Sequence, residues 1–360
     1  MKLVVLGLSL SSSWGNGHAT TFRALLRAFA ARGHEVLFLE RDVPWYAGQR
    51  DLADPDWCRL ELYRDLDELH RWAGEIARAD AVIVGSYVPD GVAVGRFAQR
   101  TATGVVAFYD IDTPVTLAKL ERGDFEYLTP DLIAGYDMYL SFTGGPTLAY
   151  LEEHYGSPAA RALYCSVDAG VYRATGEAKR WDLSYLGTYS DDRQPTLTRL
   201  LVDVARAAPH KKFVVAGPQY PAGIDWPANV ERIEHLPPSE HAAFYSASRW
   251  TLNVTRADMI ARGWSPSVRV FEAAACATAI VSDRWDGLDQ LLAPDREIVL
   301  ADGTADVLAA LDRLDAEAIG AAGRARILAE HTAAHRAVEL EQHLASATPM
   351  PRRNTVAGAA

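Results

Sequence analysis

A chain of 360 residues has room for two hydrophobic cores, and its formal net charge of -11 provides no basic face of the kind nucleic-acid binding needs. Cys58, Cys165 and Cys276 stand apart without CxxC spacing, which excludes a disulfide framework and a zinc knuckle. No run approaches the roughly 20 apolar residues of a membrane span, so a cytoplasmic protein without a transmembrane segment is expected.

The opening run MKLVVLGLSL reads as a buried first strand, because no small-x-small cleavage site follows and the strand–helix alternation continues. Further strands are expected at Glu35–Glu40, Ala81–Gly85, Gly104–Tyr109, Asp137–Ser141 and Ala162–Cys165, separated by helices such as Ala19–Ala31. Continuous apolar strands with amphipathic helices between them predict a parallel sheet covered on both faces. SVDAGVYRATGEAKRW is polar and turn-rich, and the rhythm then restarts with DLSYLG, a helix over Leu197–Ala208, KKFVVAG, VERIEHL, WTLNVT, a helix from Val268, TAIVSD and EIVLA. Two Rossmann-like α/β domains follow from this, at 1–166 and 182–345, with a linker at 167–181 and a loosely held tail at 346–360.

Ligands of parallel α/β domains bind where strands end and helices begin. The loop after the first strand carries Trp14, Gly15, Asn16 and Gly17, with His18 entering the helix. It lacks GxGxxG, and Glu40 alone does not make a dinucleotide fingerprint, so no nicotinamide cofactor is expected. The positive end of the helix dipole lowers the His18 pKa and keeps the imidazole neutral, as a general base requires. A histidine that merely caps a turn is the alternative. In AFYDIDTPVT, Asp110 and Asp112 alternate along an extended segment, so both are expected on one side of the sheet's end. Either carboxylate orients His18, holds an acceptor hydroxyl or acts as base; helix capping by Asp112 or Thr113 is the alternative. GSYVPDG, with Tyr87, and SFTGG, with Gly144, repeat the order strand, Gly/Ser turn, helix, and predict a lined cleft.

In the second domain, Ser265 and Ser267 flank Pro266 as an N-cap and helix start, whose free N–H groups suit a diphosphate. Glu272 lies further along that helix among Ala273–Ala275, where a carboxylate needs a partner: ribose hydroxyls, or else Arg269 or Arg284.

This stretch, GWSPSVRVFEAAACATAIVSD, resembles the donor-binding helix of GT-B glycosyltransferases, whose familiar version reads E-x7-E followed by AMACGTPVV. It is similar in particular to the bacterial CgeB-type family, as are SSWGNGHATT, FYDIDTPVT, LSFTGG, YLGTYS and AGPQYP. The likeness covers nearly the whole chain to about residue 300. It implies an α/β GT-B fold, two Rossmann-like domains facing each other across a cleft, with acceptor bound by the first and a nucleotide sugar (UDP-, dTDP- or GDP-linked) by the second. The implied activity is a glycosyltransferase acting on an unidentified acceptor, with no cofactor or metal. Glu272 matches the ribose-binding glutamate. The first glutamate's position falls on Trp264, so a retaining outcome is not expected, and His18 fits an inverting enzyme with Asp112 or Asp110 behind it. Gly187, Thr188, Tyr189, Arg193, Gly217, Asn253, Arg256 and Arg269 fit the nucleotide site, and His235 and Leu236 resemble its base-contacting turn. A sugar-nucleotide epimerase or hydrolase, or a catalytically silent nucleotide-sugar-binding protein, is the rival reading.

Overall fold

A computed structural model describes residues 1–14 and 17–351, and Gly15 and Asn16 lie outside the described residues. The first unit contains the strands β1 (Lys2–Gly7), β2 (Glu35–Arg41), β3 (Arg59–Tyr63), β4 (Ala81–Gly85), β5 (Val105–Asp110), β6 (Met138–Ser141) and β7 (Ala160–Ala162). They form one parallel sheet in the order β3-β2-β1-β4-β5-β6-β7. The second unit contains β8 (Trp181–Leu186), β9 (Phe213–Ala216), β10 (Val230–Ile233), β11 (Ser248–Asn253), β12 (Ala279–Ser282) and β13 (Val299–Leu300). Its order is β10-β9-β8-β11-β12-β13, again all parallel. Counted from its own first strand, each sheet therefore runs 3-2-1-4-5-6, with a seventh strand added in the first unit, and each reverses direction beside that first strand.

The apolar runs explain the sheets. Val4 pairs in register with Leu37 on one side and Val82 on the other, and all three side chains are buried. A strand packed on both faces must be apolar at every position, and helices cover it. β3 escapes the sequence reading because it is an edge strand whose Arg59 and Glu61 pair with each other at the surface, 2.9 Å apart. Among the described residues, no helix is long and apolar enough to cross a membrane.

The boundaries depart from the sequence grouping at the C-terminal end. The first compact unit is Met1–Tyr164 together with the segment from Ala333, and the second is Cys165–Thr332. The helix Ala333–Ser346 packs on the helix Gly17–Ala30, with Arg32 Nε donating to Glu341 at 2.7 Å and His343 Nε2 lying 3.3 Å from the Ala162 carbonyl. Amphipathic spacing predicts that this helix buries one face but not which surface receives it.

The loop that leaves β1 is built on a carboxylate. Glu40, at the end of β2 and fully buried, accepts from Leu10 N–H at 2.6 Å, Ser11 N–H at 2.8 Å and Ser11 Oγ at 2.6 Å. Arg23 fastens the same loop by donating to the Leu10 carbonyl at 2.8 Å while it grips Asp51 through two nitrogens. Glu40→Ala would strand two buried N–H groups and a hydroxyl. Each orphaned donor costs about 1–3 kcal/mol, so urea melts should show a loss of about 3 kcal/mol or more, and a loss below about 1 kcal/mol would refute this account.

Candidate active site

In the first unit the strand order reverses between β1 and β4, and the loops after these strands border a cavity of about 580 Å³. His18 lines it from the first turn of the helix Gly17–Ala30, beside Gly17 itself. The His18 ring meets the edge of Tyr87, with centroids 5.3 Å apart and planes at 83°. Its Nδ1 is buried and has no hydrogen-bond partner among the described residues. Burial pulls the imidazole from its ordinary 6.5 down to about 3, so desolvation keeps it neutral.

Asp110 and Asp112 part company. Asp110 closes β5, and the chain turns immediately after it, so the alternation expected of an extended strand fails there. The Asp110 carboxylate is wholly buried and accepts from Thr116 Oγ1 at 2.9 Å, from the Tyr139 hydroxyl and from Asp112 N–H at 3.1 Å. Burial pushes its pKa up to about 6 against these bonds. Asp112 stands at the N-cap position of the helix Thr113–Glu121, but its side chain makes no cap bond. It lines the cavity instead and accepts from the Tyr87 hydroxyl at 3.3 Å. Tyr87 thus lies between His18 and Asp112, an arrangement with no signal in the sequence because it depends on a left-handed backbone at a tyrosine (φ 61). Trp14 is 53 % exposed, and Gly144 is buried so close to Tyr164 that a Cβ there would stand 2.0 Å from its hydroxyl.

The second unit reverses between β8 and β11, and arginines gather at that point. Arg269, in the first turn of the helix Val268–Ala275, donates to the Leu186 carbonyl at 2.5 Å and to Asn253 Oδ1 at 3.1 Å. Ser267 occupies the N-cap position, yet its hydroxyl reaches the same Asn253 oxygen at 2.8 Å and not the helix backbone. Asn253 is buried and supports Ser267 and Arg269 from below. Ser265 is buried beside them, and the Pro266 carbonyl accepts from Cys165 Sγ at 3.2 Å. Arg193 donates to the Thr188 carbonyl at 2.8 Å, while its Nε is buried without a partner among the described residues. Its pKa is lowered by burial and by the charges of Arg269 and Arg256, which places the three cations together.

The backbone at this edge is pressed close. A Cβ on Gly217, whose φ is 141°, would stand 2.1 Å from the Gly187 carbonyl oxygen, so both loops need their glycines. Tyr189 N–H bonds the Pro218 carbonyl at 3.1 Å, and the Tyr189 hydroxyl bonds Asp191 at 2.6 Å. Thr188 and His235 are exposed. The Leu236 carbonyl lies 3.3 Å from His241 Nε2.

Glu272 is buried on the same helix with its pKa raised by desolvation, against the Tyr172 hydroxyl, the Arg269 charge and the Tyr245 hydroxyl. Of the two arginines considered as ion partners, Arg284 pairs with Asp302 at 2.8 Å and Arg269 is engaged as described. Tyr172 and Tyr245 are neighbours of its carboxyl that sequence spacing does not reveal. Trp264 holds the position of the missing first glutamate, its indole donating to Gln290 at 3.1 Å.

Residues 193–342 match a family model described as glycosyl transferase-like. No curated protein matches the chain. Among solved structures, sucrose-phosphate synthase from Thermosynechococcus elongatus is similar at a TM-score of 0.69 and 14% identity, over 95% of this chain and 98% of that one. HepE from Anabaena, in complex with UDP and glucose, gives 0.70 and 11%, over 96% and 100%. An E. coli structure named for trehalose-6-phosphate and bound with UDP-2-fluoro glucose gives 0.66 and 13%, over 97% and 100%. The chain has the GT-B fold.

The buried imidazole makes stability depend on pH. His18 titrates near 6.5 when unfolded and near 3 when folded, so between these values the unfolded chain binds the extra proton. Its contribution is fully present above pH 6.5 and falls by about 1.4 kcal/mol per unit of acidification below that. Urea melts at pH 7.5 and pH 5 should show wild type losing about 2 kcal/mol more than His18→Phe. Equal losses in the two proteins would overturn the burial account.

Proposed function

We propose that the protein transfers a sugar from a nucleoside-diphosphate sugar to a hydroxyl of an acceptor, with inversion and without a metal, and that it is of the CgeB type. The observation that carries this reading is the arginine cluster Arg193, Arg256 and Arg269, with Arg193 Nε buried and unpaired, at the strand-order reversal of the second unit. A buried donor without a partner calls for an acceptor, and a diphosphate supplies several. Glu272 lies five residues beyond Ser267, about 7 Å along the helix, which suits a ribose joined to that diphosphate. Uridine is the base of choice, because HepE and the E. coli structure are bound to uridine nucleotides. The turn His235–Leu236 reads its edge.

The first unit supplies the acceptor and the base. The acceptor oxygen attacks the anomeric carbon as its proton passes to neutral His18, and the bond to the leaving phosphate breaks with its electron pair going to the diphosphate. Arg193, Arg256 and Arg269, with the first N–H groups of the helix Val268–Ala275, take up that charge. Asp112, in the same cavity as His18, provides the negative charge that an imidazolium needs.

His18→Ala should lower turnover by roughly 10²–10⁴-fold with UDP affinity unchanged by calorimetry, and the wild-type rate should persist in EDTA. Near-normal turnover in the folded variant would remove His18 from the mechanism, and a rate lost to EDTA and restored by Mg²⁺ would end the metal-free reading.

Glu272→Gln keeps the shape of the side chain but loses the charge. A bond to a charged group contributes about 1.5–3 kcal/mol, so UDP should bind roughly tenfold more weakly or worse, at about 1.4 kcal/mol per decade. Affinity within twofold of wild type would remove the ribose role.

A further inference from the structure

The cavity in the first unit has a one-sided chemistry. Asp90, Asp112 and Glu126 line it, and among the described lining residues there is no lysine or arginine. The nearby cations are drawn to the flanks. Arg41 donates to Asp90 at 2.8 Å with its guanidinium over the Tyr63 ring, and Lys119 pairs with Glu126 and Asp124 while lying over the Tyr87 and Tyr127 rings. A ligand entering here therefore meets carboxylate oxygens and a neutral imidazole, and an anionic group would find no cationic partner on the wall.

The remaining wall is apolar, with Leu8, Val88 and Pro89 beside three aromatic rings. Trp45, 56 % exposed, stands on the rim beside Tyr46 and Tyr87, and flat rings of this kind cover the C–H face of a saturated ring. The wall is also built at a conformational cost. Tyr87 and Asp90 both hold left-handed backbones (φ 61 and 55) although neither is glycine, and both line the cavity. Such strain persists where the surroundings over-determine it, and it concentrates at binding sites. His18, half-buried and with its Nδ1 enclosed and unpartnered among the described residues, belongs to the same wall.

We infer that the acceptor is a polyhydroxylated ring bearing a protonated amine, an amino sugar or aminocyclitol, and not a phosphorylated or carboxylated one. The inference rests on the glycosyltransferase reading for the word acceptor, but the charge preference is a property of this cavity alone. The ammonium group meets Asp90 and Glu126 at the mouth, the ring lies on Trp45, and a hydroxyl reaches His18 and Asp112.

Calorimetry at pH 6.5 with glucosamine, glucose and glucose 6-phosphate tests this on the whole protein, with UDP titrated separately into the same sample. Glucosamine should bind at least tenfold more tightly than glucose, and glucose 6-phosphate should not bind detectably. The variant Asp90→Asn with Glu126→Gln should erase the preference of glucosamine over glucose and leave UDP affinity unchanged. Both ion pairs sit at the surface, where such pairs contribute little to stability, and thermal melts confirm that the variant is folded. Glucose 6-phosphate binding as well as glucosamine, no binding of any of the three, or a preference that survives in the variant would each overturn the inference. Glucosamine binding without UDP binding would sustain the charge preference and bring down the donor-site reading instead.

Discussion

The reversal of strand order beside the first strand of each sheet is the constraint on which the rest depends. Loops that follow neighbouring strands at such a reversal leave toward opposite faces and open a crevice between them, at β1 and β4 in the first unit and at β8 and β11 in the second. The central strands lie between helices and must be apolar, as Val4, Val82, Leu183 and Leu252 are. The polar groups of the two candidate sites are therefore confined to a few loops and helix starts. In the first unit these present His18, Tyr87 and Asp112, and in the second Arg193, Arg256 and Arg269.

A carboxylate at the end of the second strand is, in dinucleotide-binding folds, the group that meets the ribose. Glu40 holds that place and cannot serve, because its oxygens are already bonded to Leu10, Ser11 and Ser9. The same residue type at the same point of the fold is turned inward and becomes the anchor of the loop that ends near His18. The second unit uses Asp283 in a related way at the end of β12, where it accepts from Thr255 N–H and Oγ1, each at 2.8 Å, and steadies the chain leading to Arg256. In both units, a buried acid shapes the loop while other residues are left to face a ligand.

Much of the fold was legible because two-sided burial leaves a strong mark. The segments around Ala81–Gly85, Phe213–Ala216 and Ala279–Ser282 are apolar throughout and bounded by turn residues. β3 left no such mark, since an edge strand shows one face to water. The site was legible where a residue type and a helix start coincide, as at His18 and at Ser267–Arg269. It was not legible where function depends on what a side chain touches across the fold. The left-handed Tyr87 between His18 and Asp112 and the tyrosines around Glu272 arise from contacts between segments 25 to 100 residues apart. Spacing along the chain carries no record of them.

The split of the first unit has a consequence for how the protein is made. The second unit is one continuous stretch, Cys165–Thr332, whereas the first closes only when the helix Ala333–Ser346 arrives. At a synthesis rate of about 5–20 residues per second, the face of the helix Gly17–Ala30 that receives it waits roughly 10 to 40 s after Tyr164 has been joined. The unit encoded second is thus the first that can finish folding on the ribosome. Ala337, Leu340 and Leu344 are the buried side chains that end the wait. A premature stop near Ala333 would accordingly spare the neighbouring sequence and harm the unit encoded farthest upstream.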